Sequence, residues 1–265
     1  MIHLRRIAAK GGITGARLRK ENPKLEAARK EKWQKWWDEK GNLEWDPIRA
    51  LLPIRYPRFS EDLAEFVGIM MGDGTVAPYH IAITLNTIAD KEYIPFVARV
   101  IDHLFDVKPR IYNRKTCKAT DIVVHRKNLV EFCKKIGLKQ GDKLKQGLDI
   151  PKWVSSNRKF LKACLRGLFD TDGCLFEHAY SVNGKKYAYL KLSFTSRSLV
   201  LLDSVHRALS GMGFSAKIRK NGYDVKIEST RDVSRFMKTI GTSNPRRKKL
   251  FDKWKVAPNG KATVC

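Results

Sequence analysis

Apolar residues recur at helical spacing in two segments of this chain. In both segments they are three and four positions apart, which places them on one face of a helix. They are Leu63, Phe66, Val67, Met70 and Met71 in the first segment, and Leu161, Leu165, Leu168 and Phe169 in the second. Each segment ends in Asp-Gly, and Asp172 follows Asp73 by 99 positions. We interpret the two segments as buried helices at the same point of a repeated unit.

Small residues stand one helical turn apart in both predicted helices. Gly68 and Gly72 have this spacing in the first, and Gly167 and Thr171 have it in the second. Small side chains let two helix axes approach closely, because little bulk separates the backbones. We therefore predict that the two helices pack directly against each other.

The residues that close the two helices carry the first sign of chemistry. Gly74 and Gly173 are suited to left-handed helix caps, which would leave Asp73 and Asp172 in the last turn. A carboxylate there faces the negative end of the helix dipole and is disfavoured. Because the same choice occurs twice, we predict a compensating cation. Two carboxylates that meet at a helix contact suit a hard divalent ion such as Mg²⁺.

The segments after the two motifs predict the same order of elements. After the first motif, alternating and helical patterns cover residues 80–86, 91–105, 109–114, 120–125 and 129–136. After the second, they cover 174–181, 186–195, 198–212, 216–220, 223–228 and 231–240, with Asn-Gly turn signals at 183–184 and 221–222. Only residues 75–79 separate Gly74 from the first strand of its copy. We therefore expect the first copy to lack a long first hairpin.

The charge of the chain indicates a polyanionic partner. Lys and Arg number 53 against 27 Asp and Glu, for a net charge of +26. Nucleic acid is the simplest partner for such an excess, although charge alone does not separate DNA from RNA. No apolar run is long enough for a membrane span and no signal peptide is evident. We expect a soluble intracellular protein, in the cytoplasm and nucleoid or in an organelle matrix.

The five cysteines and six histidines show no spacing typical of a metal site or a disulfide framework. We expect neither zinc nor disulfides in this chain.

Residues 66–74, FVGIMMGDG, and residues 165–173, LRGLFDTDG, resemble the two motif copies of single-chain LAGLIDADG homing endonucleases. The resemblance covers about the last 200 residues, judged by the length of the repeat. It implies an α+β fold of two pseudo-symmetric αββαββα halves packed through their motif helices, over residues 59–150 and 151–265. One departure is visible, since the acidic sixth position of the motif is Asp170 in the second copy but Met71 in the first.

The resemblance also implies an activity. Members of this family bind a long double-stranded DNA target and cut both strands by metal-dependent hydrolysis, leaving short 3′ overhangs. The metal set implied here is Asp73 and Asp172 with Gly72 and Thr171, holding two or three Mg²⁺ ions for which Mn²⁺ would substitute. The chain would act as a monomer on an asymmetric target, because unequal halves have lost the symmetry that a palindrome mirrors.

The predicted strands present polar and aromatic side chains on one face, which is a candidate for reading the DNA major groove. In the first half these residues are His80, Thr84, Asn86, Arg110, Tyr112 and Arg114. In the second half they are Tyr187, Tyr189, Lys191, Lys217, Arg219 and Lys226.

Basic side chains beside the metals are a further implication of the family. Lys143 follows Asp73 by 70 positions and Lys248 follows Asp172 by 76, so we choose this pair as catalytic candidates. Lys139 and Lys249 are almost as suitable, and simple phosphate contacts are an equal alternative for each lysine.

Residues 1–58 lie outside the resemblance and carry 15 Lys and Arg against 7 Asp and Glu. A helix is predicted over 24–40, and its tryptophans Trp33, Trp36 and Trp37 are too apolar to leave exposed. We expect a basic helical extension that packs on the body or binds DNA. A disordered basic arm is the alternative.

Two other functions fit the same residues. An RNA maturase that assists splicing of its own intron would share every feature above. A DNA-binding regulator without cleavage would be expected to lose one of the two acids, and both are present.

Overall fold

The computed structural model describes residues 23–40, 51–219 and 222–256. The chain divides into two units, Met1–Ala50 and Leu51–Cys265. In the first unit, helix α1 covers Pro23–Lys40, close to the predicted 24–40. Trp33 and Trp36 expose 50% and 45% of their surface, so the expectation of a buried aromatic cluster is wrong for these two residues. The rest of the predicted extension up to residue 50 lies outside the described residues.

The two motif helices form where the apolar periodicity predicts them. Helix α2 covers Glu61–Gly72, and its cap residue Ser60 accepts a hydrogen bond from the backbone nitrogen of Leu63 at 3.2 Å. The later motif helix, α6, covers Arg158–Asp172. Its cap residue Asn157 accepts from the backbone nitrogen of Lys159 at 2.9 Å. Each cap satisfies donors that the first turn leaves open, which defines where the helix begins.

Helices α2 and α6 cross at very short distance, as the small residues predict. A Cβ atom added at Gly68 would overlap the carbonyl oxygen of Cys164, and one added at Gly167 would overlap that of Glu65. The backbones are therefore in direct contact at both glycines. Any side chain larger than hydrogen would separate the two halves.

The predicted left-handed caps are wrong. Gly173 has φ −87° and ψ 160°, and Gly74 opens a β-strand, so neither glycine needs positive φ. The reason for glycine is steric. A Cβ at Gly74 would lie 2.6 Å from the carbonyl oxygen of Met70, and one at Gly173 would lie 2.8 Å from the Cα of Phe169. The chain turns back over the last helical turn too tightly for a side chain.

The first half contains one four-stranded antiparallel sheet and its helices. Its elements after α2 are β1 Gly74–Val76, β2 Ile81–Asn86, α3 Ile94–Phe105, β3 Arg110–Asn113, β4 Ala119–Val124 and α4 Lys127–Lys135. The strand order is β1-β2-β4-β3. A short helix, α5 Lys152–Ser155, leads into α6.

The second half repeats this architecture and adds one helix. Its elements after α6 are β5 Gly173–Val182, β6 Lys185–Thr195, α7 Leu199–Gly211, β7 Ala216–Ile218, β8 Asp224–Ile227, α8 Thr230–Thr239 and α9 Pro245–Val256. The strand order β5-β6-β8-β7 matches that of the first sheet. The α+β prediction is confirmed, whereas α9 is absent from the elements that the sequence pattern predicts.

The first hairpins of the two sheets differ in length. Strand β1 pairs with β2 over 3 residues, whereas β5 pairs with β6 from Gly173↔Phe194 to Val182↔Lys185. The long hairpin turns at Asn183 and Gly184, whose φ values of 50° and 75° suit the twist of the two strands. The first half does form a hairpin, but a short one, so its reach is smaller as expected.

The inner faces of both sheets pack on the helices. Alternate strand residues are buried, such as Ile81, Ile83 and Leu85 in β2, and Leu190, Leu192 and Phe194 in β6. The outer faces carry the polar residues of the same strands. Within the described residues, no helix is both long enough and apolar enough to cross a membrane.

Candidate metal and nucleic-acid site

Two carboxylates meet where the motif helices end. Asp73 is the residue directly after α2, and Asp172 is the last residue of α6. The helix ends touch here, since a Cβ added at Gly72 would lie 2.7 Å from the Cβ of Thr171 and 3.4 Å from the carboxyl carbon of Asp172. The close crossing of α2 and α6 therefore places both acids in one small region.

Burial and mutual repulsion make this pair costly in its charged form. Burial raises the pKa of Asp73 to about 6, and the charge of Asp172 adds to the shift, although Lys143 opposes it. Burial likewise raises the pKa of Asp172 to about 6, against the opposing charges of Lys143 and Arg247. A group with a raised acid pKa is one whose charge the surroundings do not stabilise sufficiently.

Neither carboxylate has a direct partner among the described residues: no hydrogen bond reaches the carboxyl group of Asp73 or Asp172, and no ion pair forms within 4.0 Å. Two adjacent, partly buried carboxylates without partners are a donor set that fits a hard divalent cation. The described residues contain no group of three or more His, Cys, Asp or Glu that could complete a site. Further ligands would have to be backbone carbonyls, water or a bound phosphate.

Lys143 reaches this pair from the segment after α4. Its Nζ donates to the carbonyl oxygens of Gly72 and Gly74 at 2.7 Å and of Met71 at 3.0 Å. Burial lowers the pKa of Lys143, whereas the charges of Asp172 and Asp73 raise it. The lysine therefore caps the negative end of α2 and stands beside the acids. Its catalytic role stays a prediction.

The catalytic role predicted for Lys248 in the second half stays a prediction, and the contacts equivalent to those of Lys143 are made by its neighbour Arg247. Lys248 is exposed, and Arg247 occupies the equivalent position with 6% of its side chain accessible. An Nη atom of Arg247 donates to the carbonyl oxygens of Asp170 at 3.1 Å and Thr171 at 3.4 Å. The guanidinium also lies over the ring of Phe169, 4.8 Å from its centre. Arg247 thus caps α6 as Lys143 caps α2.

Sequence reasoning missed Arg247 because it missed helix α9. Within that helix Arg247, Phe251 and Trp254 are all buried, at helical spacing. Recognising Phe251 and Trp254 as an inward face would have selected Arg247 rather than its neighbour. The remaining alternatives are also placed: Lys249 pairs with Glu92 at 2.6 Å, and Lys139 is only partly exposed.

The carbonyl groups of Gly72 and Thr171, both predicted as metal ligands, already accept hydrogen bonds. Gly72 accepts from Lys143 at 2.7 Å, and Thr171 accepts from Arg247 at 3.4 Å. A carbonyl oxygen has a second lone pair, so ligation remains chemically open to both. The two cations hold these carbonyls in place at the edge of the carboxylate pair.

The predicted DNA-reading residues of the first half lie on the outer sheet face, and three of them are engaged locally. Thr84 donates to Asp121 at 2.7 Å, and Arg114 donates to the same carboxylate at 2.7 Å through two nitrogens. The Arg114 guanidinium lowers the pKa of Asp121. The side chain of Asn86 accepts from the backbone nitrogens of Ile88 and Ala89 at 3.0 Å and 2.9 Å, so it shapes a turn.

The other predicted residues of the first half make fewer contacts. Arg110 and Tyr112 are exposed in β3, and the ring of His80 lies 5.1 Å from that of His125. These side chains are on the outer face and accessible for contact.

The outer face of the second sheet combines aromatic and basic side chains. The ring of Tyr180 stacks on those of Tyr187 at 5.5 Å and Tyr189 at 5.9 Å along the long hairpin. Lys191 pairs with Glu228 at 3.2 Å, and the ammonium group of Lys226 lies 5.5 Å from the ring centre of Phe176. Lys217 and Arg219 are exposed beside them. Both outer faces are thus polar surfaces that two-stranded ribbons could present to a groove.

Comparison with known proteins identifies the fold. The model of a LAGLIDADG-like domain matches residues 159–241. The I-LtrWI LAGLIDADG homing endonuclease bound to target DNA has a TM-score of 0.50, with 13% identity over 73% of this chain and 89% of its own. I-SmaMI bound to an uncleaved DNA target in the presence of calcium ions has a TM-score of 0.51, with 13% identity over 75% and 90%. These matches confirm the resemblance drawn from the two motifs.

The sequence relatives match most of this chain but only a small part of their own length. The chain is 31% identical over 237 residues to the replication factor C small subunit of Methanocaldococcus jannaschii, which covers 80% of this chain and 12% of that protein. It is 24% identical over 188 residues to the reverse gyrase of the same organism, covering 70% and 10%. Because the chain spans only about a tenth of each relative, their named activities say nothing about this protein.

Proposed function

We propose that this chain, which carries both motif helices and the fold of the LAGLIDADG proteins, is a site-specific DNA endonuclease. It binds a long asymmetric duplex as a monomer and cuts both strands by metal-dependent hydrolysis, leaving short 3′ overhangs. One observation carries the proposal: two partly buried carboxylates, Asp73 and Asp172, lie at the helix seam, where α2 and α6 end in contact, and have no direct partner among the described residues. Burial disfavours the charged form of both carboxyl groups, so the pair does not by itself stabilise the fold.

Asp73 and Asp172 would hold the divalent cations, with Mg²⁺ as the natural ion and Mn²⁺ as a substitute. When bound, such ions lower the pKa of water and stabilise the charge that develops on phosphate oxygens. The chain itself supplies the position of the acids, through the glycine contact between α2 and α6. Lys143 and Arg247 donate hydrogen bonds to the carbonyl groups at the ends of α2 and α6. They also add positive charge where a phosphodiester would approach.

DNA as the substrate is supported by charge and shape. The net charge of +26 favours a polyanion, and the two outer sheet faces offer Arg, Lys, Tyr and His side chains at strand spacing. The first hairpin is short in one half and long in the other, so the two halves would contact different lengths of duplex. An asymmetric target follows from that difference.

The test begins with selection of a bound duplex from a DNA library in the presence of Ca²⁺, followed by incubation with Mg²⁺. We expect the wild-type chain to cut the selected duplex at one position on each strand, with short 3′ overhangs. The double variant Asp73→Asn, Asp172→Asn should bind and not cut. The exposed change Asp252→Asn, which removes one charge elsewhere, should cut as the wild type does.

Other outcomes would assign the chain differently. Binding without cleavage by the wild type contradicts the endonuclease and favours a DNA-binding regulator. Preference for structured intron RNA over every duplex would favour the maturase instead. Cleavage that survives in the double variant would remove the carboxylate pair from the mechanism.

A further inference from the structure

Two clefts related by the repeat flank the motif helices. Each lies between the segment after the last sheet helix of one half and the strand-to-helix loop of the other half. The first cleft, of about 880 Å³, joins the segment around Lys143 and Leu148 to the loop Thr195, Ser196 and Arg197. The second, of about 320 Å³, joins Asn244, Arg246 and Lys249 to the loop around Ile88 and Tyr93. The clefts occupy equivalent positions, so differences between them are informative.

Polar contacts across the two halves narrow the second cleft. Asn244 donates to Asp90 at 3.0 Å, and Arg246 lies 3.6 Å from the same carboxylate. Lys249 pairs with Glu92 at 2.6 Å. Arg246 and Lys249 are therefore already matched with acids of the other half, whereas Lys91, which also lines this cleft, is exposed and has no ion pair within the described residues.

The first cleft is open and reaches the carboxylate pair. Asp172 and Lys143 line it, and a single hydrogen bond from Ser198 to the carbonyl of Leu148, at 3.0 Å, joins the two halves beside it. Arg197 on its rim is exposed, and within the described residues no hydrogen bond or ion pair engages its guanidinium. By its place after the strand, the counterpart of Arg197 in the first half is Ile88, which is 64% exposed.

Charge decides what this cleft can accept. A phosphodiester next to Asp172 would be repelled unless cations offset the carboxylate; a metal held by Asp172 would supply part of this charge, and side chains on the rim can supply the rest. Lys143 already donates to the carbonyl groups of Met71, Gly72 and Gly74, so its ammonium group is engaged. Arg197 is the available cation, and a guanidinium matches two phosphate oxygens at once.

We infer that the open cleft holds one phosphodiester of one DNA strand against Arg197, and that the other strand meets no guanidinium at the equivalent place, where Ile88 stands. The inference rests on the proposed function, since it assigns a phosphate to that site. Arg197 is then a strand-specific binding residue, and the two strands of the target are held unequally. On the Ile88 side Arg246 and Lys249 are already paired, and the remaining cation, Lys91, is a point charge without the two-pronged donors of a guanidinium.

The test compares two variants that create the same residue at equivalent places. On a duplex labelled separately on each strand, Arg197→Gln should slow cleavage of one strand about tenfold more than the other, so that nicked duplex accumulates. Ile88→Gln should leave both strands within about twofold of the wild type. Equal slowing of both strands by Arg197→Gln, or no slowing, overturns the inference and leaves the endonuclease standing.

A second readout needs no cleavage. With Ca²⁺ in place of Mg²⁺, ethylation of one backbone phosphate near the centre of the target should block binding by the wild type. The same ethylation should not affect Arg197→Gln, because the contact is already lost. A wild type that binds and never cuts contradicts the endonuclease, and this interference pattern still decides the role of Arg197. Identical interference patterns for the two proteins contradict it.

Discussion

The two halves hold equivalent carboxylates with different supports. In the first half, Asp73 follows a helix whose end is capped by Lys143, and the motif position before Gly72 is the buried apolar Met71. In the second half, the cap is Arg247 and the corresponding position is Asp170. The acids at the seam are the same while their surroundings differ. The repeat has therefore kept the chemistry of the site and varied the means of holding it.

Asp170 shows what the second support does. It is 2% exposed and accepts hydrogen bonds from the Thr242 hydroxyl and, at 2.7 Å, from the Ser243 backbone nitrogen. Burial raises its pKa to about 7, although these bonds oppose the shift. The same loop reaches the first half, where the Ser243 hydroxyl donates to Glu65 at 2.6 Å. The apolar side chain of Met71 cannot make such hydrogen bonds. In the first half, the segment around Lys143 lines the open cleft instead.

The largest effect is expected from the seam acids changed one at a time. Asp73→Asn or Asp172→Asn should each lower cleavage of both strands at least about a thousandfold, because the two carboxylates lie in one site. Strand-resolved kinetics measure this. If each variant lost cleavage of one strand only, the halves would be two independent sites rather than one shared site.

The second largest effect is expected on stability, from substitutions in the contact between α2 and α6. A substitution on either helix should have a similar effect. Gly68→Ala and Gly167→Ala each place a methyl group against the backbone of the other helix, so we expect a loss of about 3–5 kcal/mol in the free energy of unfolding. Gly211→Ala, which has open space around it in helix α7, should be neutral or slightly stabilising. Urea denaturation compares the three. A tolerated Gly68→Ala would contradict the direct backbone contact.

Substitutions at Asp170 and at the equivalent Met71 should lower the free energy of unfolding by different amounts. Asp170→Met, which copies the first half, should lower the free energy of unfolding by about 3 kcal/mol, because it removes the carboxylate that faces the buried charge of Arg247 and the acceptor of the Ser243 amide. Met71→Leu at the equivalent place should cost less than about 1.5 kcal/mol. Similar losses in the two variants would show that Asp170 is only a space-filling residue.

The raised pKa values of Asp73 and Asp172 predict that the stability of the metal-free chain depends on pH. Their folded pKa of about 6 lies above the ordinary 3.8, so the folded state binds more protons between these values. Stability from this source is present below about pH 4 and lost as pH rises through 6. Asp172→Asn should recover on the order of 2 kcal/mol at pH 7 in EDTA. Thermal melting against pH tests it, and an unchanged profile in the variant would contradict the shift.

The described cysteines give the smallest test, because each half has one buried and one exposed thiol among them. Burial raises the pKa of Cys133 and of Cys164 to about 12, whereas Cys117 and Cys174 are exposed. Iodoacetamide on the native chain should modify Cys117 and Cys174 and spare the buried pair until denaturant is added. Mass spectrometry of the peptides reads the result. Labelling of Cys164 before unfolding would show that the seam opens.

Features that depend on residues close together in the chain could be predicted from the sequence, and features that depend on distant residues could not. The motif helices, the order of helices and strands along the chain, and the long second hairpin follow from periodicity and turn residues within short windows, and the structure has them close to the predicted places. The reason for Gly74 and Gly173 was wrong, because a tight return over the helix end and a left-handed turn both select glycine. A residue type alone does not distinguish the two.

The sequence by itself determined the repeat, the pairing of the motif helices and the two acids at their ends. Each of these follows from spacing along one element and its copy. Only the tertiary structure decided that Arg247 and not Lys248 caps α6, and that polar contacts narrow one of the two equivalent clefts and leave the other wide. The physical reason is that neither feature belongs to one element. A helix such as α9 presents whichever residue its packing turns inward, and a cleft depends on side chains that meet from two halves of the chain.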